Sequence, residues 1–145
     1  HGKPQLEGPH AQSLAFNLSH TDGMVLCAVA GESCHLGIDT EHMGRHNSFE
    51  ALAKRYFAPS ECEEFMTWEG VFQRRRFFDY WTLKESYLKA TGRGISVSLS
   101  SFSFDLKEKE KVHFETTVDD EGPWFFQQFQ SNETHRIALA VAGTT

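Results

Sequence analysis

Cysteine is scarce in this chain: Cys27, Cys34 and Cys62 are three thiols among 145 residues. Their number is odd, their spacing is wide and no partner histidines stand at ligand spacing. That excludes a disulfide framework and a zinc site, and it leaves reduced thiols of the kind expected in a cytoplasmic protein. No apolar run approaches the roughly 20 residues that a membrane helix needs, and no signal-peptide pattern opens the chain. Positive charge is also in deficit, with 14 Lys and Arg against 20 Asp and Glu, a net charge of −6. That balance argues against a general nucleic-acid binder. Internal repeats and low-complexity segments are lacking. What remains is the composition of an ordinary globular protein, with residues 1–145 read as a single domain. The chain begins His1-Gly2-Lys3-Pro4 without a methionine, so it is expected to be a piece of something longer.

The most informative stretch is FFDYWTLKESYLKATGRG, residues 77–94. Phe77, Trp81 and Leu88 recur near the spacing of one helical face, and Gly92 supplies the usual stop. Glu85 lies four residues after Trp81 and three before Leu88, which places a carboxylate on the apolar stripe. A charge there must be paired or bound to a metal, and Lys89 sits one turn later. Two readings stay open on these residues alone: a Glu–Lys pair at the edge of a core helix, or part of a site. Between Val71 and Gly94 the chain carries Arg74, Arg75, Arg76, Lys84, Lys89 and Arg93 against only Asp79 and Glu85. A basic helix on an acidic protein suggests local docking of an anionic partner, with a solvated helix face as the competing reading.

A second acidic feature lies upstream in HLGIDTE, residues 35–41. Leu36, Ile38 and Thr40 alternate with Gly37, Asp39 and Glu41, the period of a half-buried strand. Asp39 and Glu41 therefore share a face, where two anions repel unless a cation sits between them. Hard oxygen ligands suit Mg²⁺ or Mn²⁺ better than Zn²⁺. With Glu85 they would form a three-carboxylate metal site; an exposed strand end with two solvated acids is the alternative.

The rest of the chain sets an α+β frame. Residues 13–19 and 24–30 read as a hairpin around Asp22-Gly23. With 35–41 they predict three adjacent antiparallel strands that bring Ser19 and His20 to one end of a sheet. His42 and His46 are read as loop histidines. A helix opens at Ser48, and Ser60-Glu61-Cys62-Glu63 reads as the capping box of a short second one. Glu61 is assigned to that cap and not to the site. Strands are expected over 95–106, 112–118, 124–129 and 135–142. The expected architecture is an antiparallel β-sheet packed against a long helix and two shorter helices.

Five segments in order, GKP (2–4), FNLSH (16–20), GIDTE (37–41), AKRYF (53–57) and WTLKESYLKATGRG (81–94), resemble the 4′-phosphopantetheinyl transferase superfamily. The resemblance is to its surfactin-synthetase type and spans residues 2–104. Thr40 stands where the family usually has an aliphatic residue.

The resemblance implies transfer of the 4′-phosphopantetheine arm of coenzyme A to a serine of an acyl or peptidyl carrier protein, with release of adenosine 3′,5′-bisphosphate. Asp39, Glu41 and Glu85 would hold Mg²⁺. Glu85, or a water on the metal, would take the serine proton. Lys89 would neutralise developing phosphate charge, and Lys3, Ser19, His20 and Lys89 would contact coenzyme A. The carrier, typically acidic, would dock near the basic helix 71–94. Members of this type usually consist of two similarly folded halves, and this chain matches the second. It is therefore expected to be part of a longer enzyme or to pair with itself or another subunit. The alternative is a truncated, non-catalytic module that binds coenzyme A or a carrier protein.

Overall fold

The computed structural model describes residues 5–9, 13–31, 34–44, 48–94, 97–117, 122–129 and 132–143. Seven strands and three α-helices follow in the order β1 (Leu14–Thr21), β2 (Met24–Gly31), β3 (Cys34–His42), α1 (Phe49–Tyr56), α2 (Pro59–Phe65), α3 (Gly70–Thr91), β4 (Phe102–Asp105), β5 (His113–Thr116), β6 (Trp124–Phe129) and β7 (His135–Gly143). The α+β class is as the sequence predicts, but the strands form three small antiparallel sheets: β1–β2, β3–β7–β6 and β4–β5. Among the described residues no helix is long and apolar enough to cross a membrane.

The expectation of three adjacent antiparallel strands needs correcting. The β1–β2 hairpin forms around Asp22-Gly23, with Gly23 at φ +80° as the tight turn requires. β3, however, takes β7 as its ladder partner, from Cys34 opposite Gly143 to His42 opposite His135. It meets the hairpin through side chains instead. Asn17 Oδ1 accepts the Ile38 N–H at 2.8 Å and Ser19 Oγ accepts the Thr40 N–H at 3.0 Å. β1 thus lies beside β3 and runs parallel to it. Polar side chains on β1 satisfy donors that a β1–β3 ladder would otherwise take. His42 closes β3 instead of lying in a loop, and His46 lies outside the described residues.

α3 forms the centre of the molecule. Phe77, Phe78, Tyr80, Leu83, Tyr87 and Ala90 are all buried, and Phe57, Phe65, Phe102, Phe104 and Ala138 complete the core around them. Trp81 and Leu88 are only partly buried at its edge, so the deepest face is rotated from the predicted one. The helix stops where expected, with Gly92 at φ +70° and its N–H on the Leu88 carbonyl at 3.0 Å.

Two local predictions shift. α2 starts at Pro59, with Ala58 as the capping residue, and Glu61 reaches back to the Ala58 N–H at 2.8 Å. Proline fits the first helical position because it has no N–H to leave unpaired. Of the strand expected over 95–106, only Phe102–Asp105 is extended; Leu99–Ser101 is a 3₁₀ turn. Ser98 Oγ accepts the Ser100 N–H, and Ser101 Oγ donates to the Ser98 carbonyl at 2.6 Å. Local serine hydrogen bonds outcompete the ladder there. Residues 95 and 96 lie outside the described residues.

Candidate active site

The site begins with a glycine. A Cβ at position 37 would collide with the Ser86 carbonyl oxygen and come within 2.6 Å of the Ala90 nitrogen. Glycine therefore lets β3 lie directly against α3. Alanines at 138, 140 and 142, all buried, flatten the neighbouring strand in the same way. Asp39 and Glu41 follow Gly37 at intervals of two, so their side chains leave the strand on the face that meets the helix. Glu85 and Lys89, one turn apart, leave the helix toward them.

Asp39 is 5% exposed. Its Oδ1 lies 3.2 Å from Lys89 Nζ, and Lys89 also donates to the Ile38 carbonyl at 2.9 Å. Asp39 Oδ2 is buried with no hydrogen-bond partner among the described residues. Burial pushes the Asp39 carboxyl up to about 8; Lys89 opposes the shift, while Glu41 and Glu85 add to it. Glu85 is likewise pushed up by burial, opposed by Lys89 and reinforced by Glu41. The three carboxylates singled out in the sequence therefore feel one another's charge across the β3–α3 seam. Among the described residues no three acidic, histidine or cysteine side chains are drawn into a closed metal cluster; Asp39 instead turns one oxygen to the Lys89 ammonium. The donor set still fits a hard divalent cation. It offers a desolvated carboxylate oxygen with no hydrogen-bond partner among the described residues, and two further carboxylates at the same seam.

Ser19 is buried, and its Oγ accepts the N–H of Thr40, the residue between Asp39 and Glu41. Its own hydroxyl hydrogen is left to donate. His20 sits next to it on β1, and adjacent strand residues point to opposite faces, so His20 is solvent-exposed. The structure thus joins Ser19 to the acidic strand but gives His20 no described bond to the carboxylates. Lys3 lies outside the described residues.

The basic helix is less basic at its surface than its composition suggests. Lys84 is fully buried against Glu61 at 2.7 Å, Arg76 pairs with Glu64 at 3.3 Å and Asp79 at 3.6 Å, and Lys89 is held by Asp39. Arg74 and Arg93 remain exposed and Arg75 half-exposed. The Glu61–Lys84 pair was not foreseen in the sequence, which assigned Glu61 to a helix cap. A signal was present: Phe77, Tyr80, Lys84 and Tyr87 are spaced as one core face, with a lysine among aromatics.

Against this geometry, the family model described as the 4′-phosphopantetheinyl transferase superfamily matches residues 35–142. The chain belongs to the 4′-phosphopantetheinyl transferase superfamily. It is 38% identical over 143 residues to the 4′-phosphopantetheinyl transferase HetI of Nostoc sp., covering 98% of this chain and 58% of that protein. It is 33% identical over 142 residues to a 4′-phosphopantetheinyl transferase of Bacillus subtilis, covering 98% of this chain and 60% of that one. The chain thus spans about three fifths of the length of these two relatives. In fold it is similar to the Thermotoga maritima holo-[acyl-carrier-protein] synthase, with a TM-score of 0.64 and 24% identity over 77% of this chain and 64% of the other. It is also similar to a Bacillus anthracis holo-(acyl-carrier-protein) synthase in complex with CoA (3′,5′-ADP), with a TM-score of 0.66 and 19% identity over 77% of this chain and 96% of that one. Within the superfamily, the seam of Asp39, Glu41, Glu85 and Lys89 lies inside the matched span.

Proposed function

We propose that this transferase-superfamily chain moves the 4′-phosphopantetheine arm of coenzyme A to a serine of an acyl or peptidyl carrier protein. The observation that carries the reading is the unpartnered, buried Asp39 Oδ2 at a seam that also holds Glu41, Glu85 and Lys89. Asp39, Glu41 and Glu85 would hold Mg²⁺, or Mn²⁺ in its place. The cation, when bound, supplies charge neutralisation on the coenzyme A diphosphate and a template for in-line displacement.

The chain's own residues do the rest. The carrier serine Oγ forms a bond to the phosphorus that bears the pantetheine arm. The bond from that phosphorus to the adenosine 3′,5′-bisphosphate oxygen breaks, and the serine proton goes to Glu85. A carboxylate pushed up by burial suits that task, since a base poised nearer neutrality holds the proton it takes. Lys89, one turn beyond, neutralises charge on the leaving phosphate. Ser19 donates its hydroxyl hydrogen to a coenzyme A phosphate, with His20 and Lys3 as further contacts on the same substrate.

Docking of an acidic carrier falls to the cations left at the helix surface, chiefly Arg74 and Arg75. We place the reaction in the cytoplasm, in accord with three unpaired thiols. We read the chain as the second half of a two-half enzyme, working with a first half or a second copy. The outer face of the β1–β2 hairpin supports this, with Val25 at 78% and Val29 at 62% exposure beside Leu14 and Leu18. A contiguous apolar face of this kind usually has a partner.

Intact mass of an apo carrier protein incubated with the chain, coenzyme A and Mg²⁺ tests the function. The expected result is a gain of one phosphopantetheine group, lost on chelation. No gain with either this chain or its full-length parent overturns the reading.

A further inference from the structure

His135 opens β7 with only 5% of its surface exposed, and its ring is held from several sides. Nε2 lies 2.7 Å from the Asp22 carbonyl oxygen, 113 residues earlier in the chain. A carbonyl oxygen only accepts, so Nε2 bears the hydrogen and donates it. Nδ1 faces Thr134 Oγ1 at 2.9 Å and Asn132 Oδ1 at 3.1 Å. The same Asn132 oxygen accepts the Thr134 and His135 N–H groups, so a local turn fixes the ring. The His42 ring packs edge-on against it, centroids 4.9 Å apart at 84°. Gly23, in the hairpin turn, seats directly on it, since a Cβ there would lie 3.6 Å from His135 Cε1.

These contacts place one ring between two parts of the site. On one side is the turn of the hairpin that carries Ser19 and His20. On the other is His42, which follows Glu41 and ends the strand that carries Asp39. A phenyl ring would fill the same space, but only a hydrogen-bonding side chain can hold the Asp22 carbonyl.

We infer that His135 is a positioning residue: through Asp22 it latches the β1–β2 turn to the β3–β7 sheet, and so sets Ser19 and His20 at a working distance from the carboxylate seam. The ligand it serves is the nucleotide end of coenzyme A, which both parts must grip at once. The inference rests on the coenzyme A reading of the hairpin above.

The test is titration of the 145-residue chain with adenosine 3′,5′-bisphosphate, with Mn²⁺ binding followed separately by the loss of its free-ion resonance. His135→Phe keeps the ring volume and removes the bond; His135→Gln restores a donor. His135→Phe is expected to weaken nucleotide binding about ten-fold while Mn²⁺ binding stays within about two-fold, and His135→Gln to recover most of the loss. A merely structural histidine would lower nucleotide and Mn²⁺ binding together, in step with the melting temperature, and that result overturns the latch. So does nucleotide binding within about two-fold of the unaltered chain. Should His135→Phe not fold, Asn132→Ala loosens the same ring from the Nδ1 side, with the same expected direction and the same overturning result. His20→Ala separates the latch from the coenzyme A contact of the hairpin. If it weakens nucleotide binding while His135→Phe does not, the latch alone falls. If it changes nothing, or the unaltered chain binds no nucleotide, the hairpin reading falls and takes the latch with it.

Discussion

Gly37 and Ser86 are packed so closely that a Cβ on the glycine would occupy the space of the serine carbonyl oxygen. The obstruction is helix backbone, which cannot rotate away as a side chain can. Gly37→Ala should therefore push β3 off α3, with a loss of about 1–3 kcal/mol or more in urea unfolding. Mn²⁺ affinity should fall with it, because Asp39 and Glu41 move with the strand. Gly31→Ala is the control: nothing lies within 4 Å of a Cβ there, and it should be tolerated. Equal effects of the two substitutions would sink the close-approach argument.

Glu85→Gln keeps the shape of a half-buried side chain and removes its charge. Carrier loading should drop by at least about 10²-fold, the scale of a lost general base, while the melting temperature stays near that of the unaltered chain. Intact-mass assays at matched enzyme concentration give the answer. Retained loading would remove Glu85 from the mechanism.

Asp39 gives the metal-free protein an unusual pH dependence. Its carboxyl is pushed up to about 8 in the folded state from the ordinary 3.8, so between those values the native chain holds a proton that the unfolded chain has released. Stability must then fall as pH rises through this window. Asp39→Asn, a neutral isostere, should melt higher than the unaltered chain at pH 8.5 in chelator, with the difference much smaller at pH 5 and gone only below the ordinary value of 3.8. Mg²⁺ affinity should rise over the same range, since the cation competes with that proton. A chelated protein that gains stability from pH 5 to 8 would contradict the burial argument.

Glu61 and Lys84 meet at 2.7 Å with neither side chain exposed. Lys84 also donates to the Leu99 and Phe102 carbonyls at 2.5 and 2.7 Å, and Glu61 accepts the Phe104 N–H at 2.8 Å. Burial pushes Glu61 up and Lys84 down, yet every donor and acceptor of the pair is used, and the pair ties α2, α3 and β4 together. Lys84→Met should cost about 3–5 kcal/mol because it strands a buried carboxylate. Adding Glu61→Gln should return part of that loss. Additive losses in the double-mutant cycle would show that the two do not act as a pair.

Much of this was legible in the chain itself. The period of HLGIDTE placed Asp39 and Glu41 on one face, and the helix spacing from Phe77 to Leu88 placed Glu85 and Lys89 one turn apart. The Gly92 stop, the Asp22-Gly23 turn and the strand over 124–129 follow from local chemistry that a single segment carries. The surface charge of the basic helix is not legible there, for the converse reason. Residue counts show how many arginines and lysines a helix has, not which of them find an acid elsewhere, and Glu61, Glu64 and Asp39 take three of the six.

Sequence alone thus determined most of the elements, the superfamily and which carboxylates share a face, because periodicity and turn residues act over a few positions. Tertiary structure alone decided that β3 pairs with β7 and not with β2, that Gly37 closes the seam, that Lys84 is buried beside Glu61, and that His135 reaches the hairpin. Each of these depends on contacts between residues far apart in the chain. Burial, which pushes Asp39 to about 8, exists only once those distant segments have excluded water from between them.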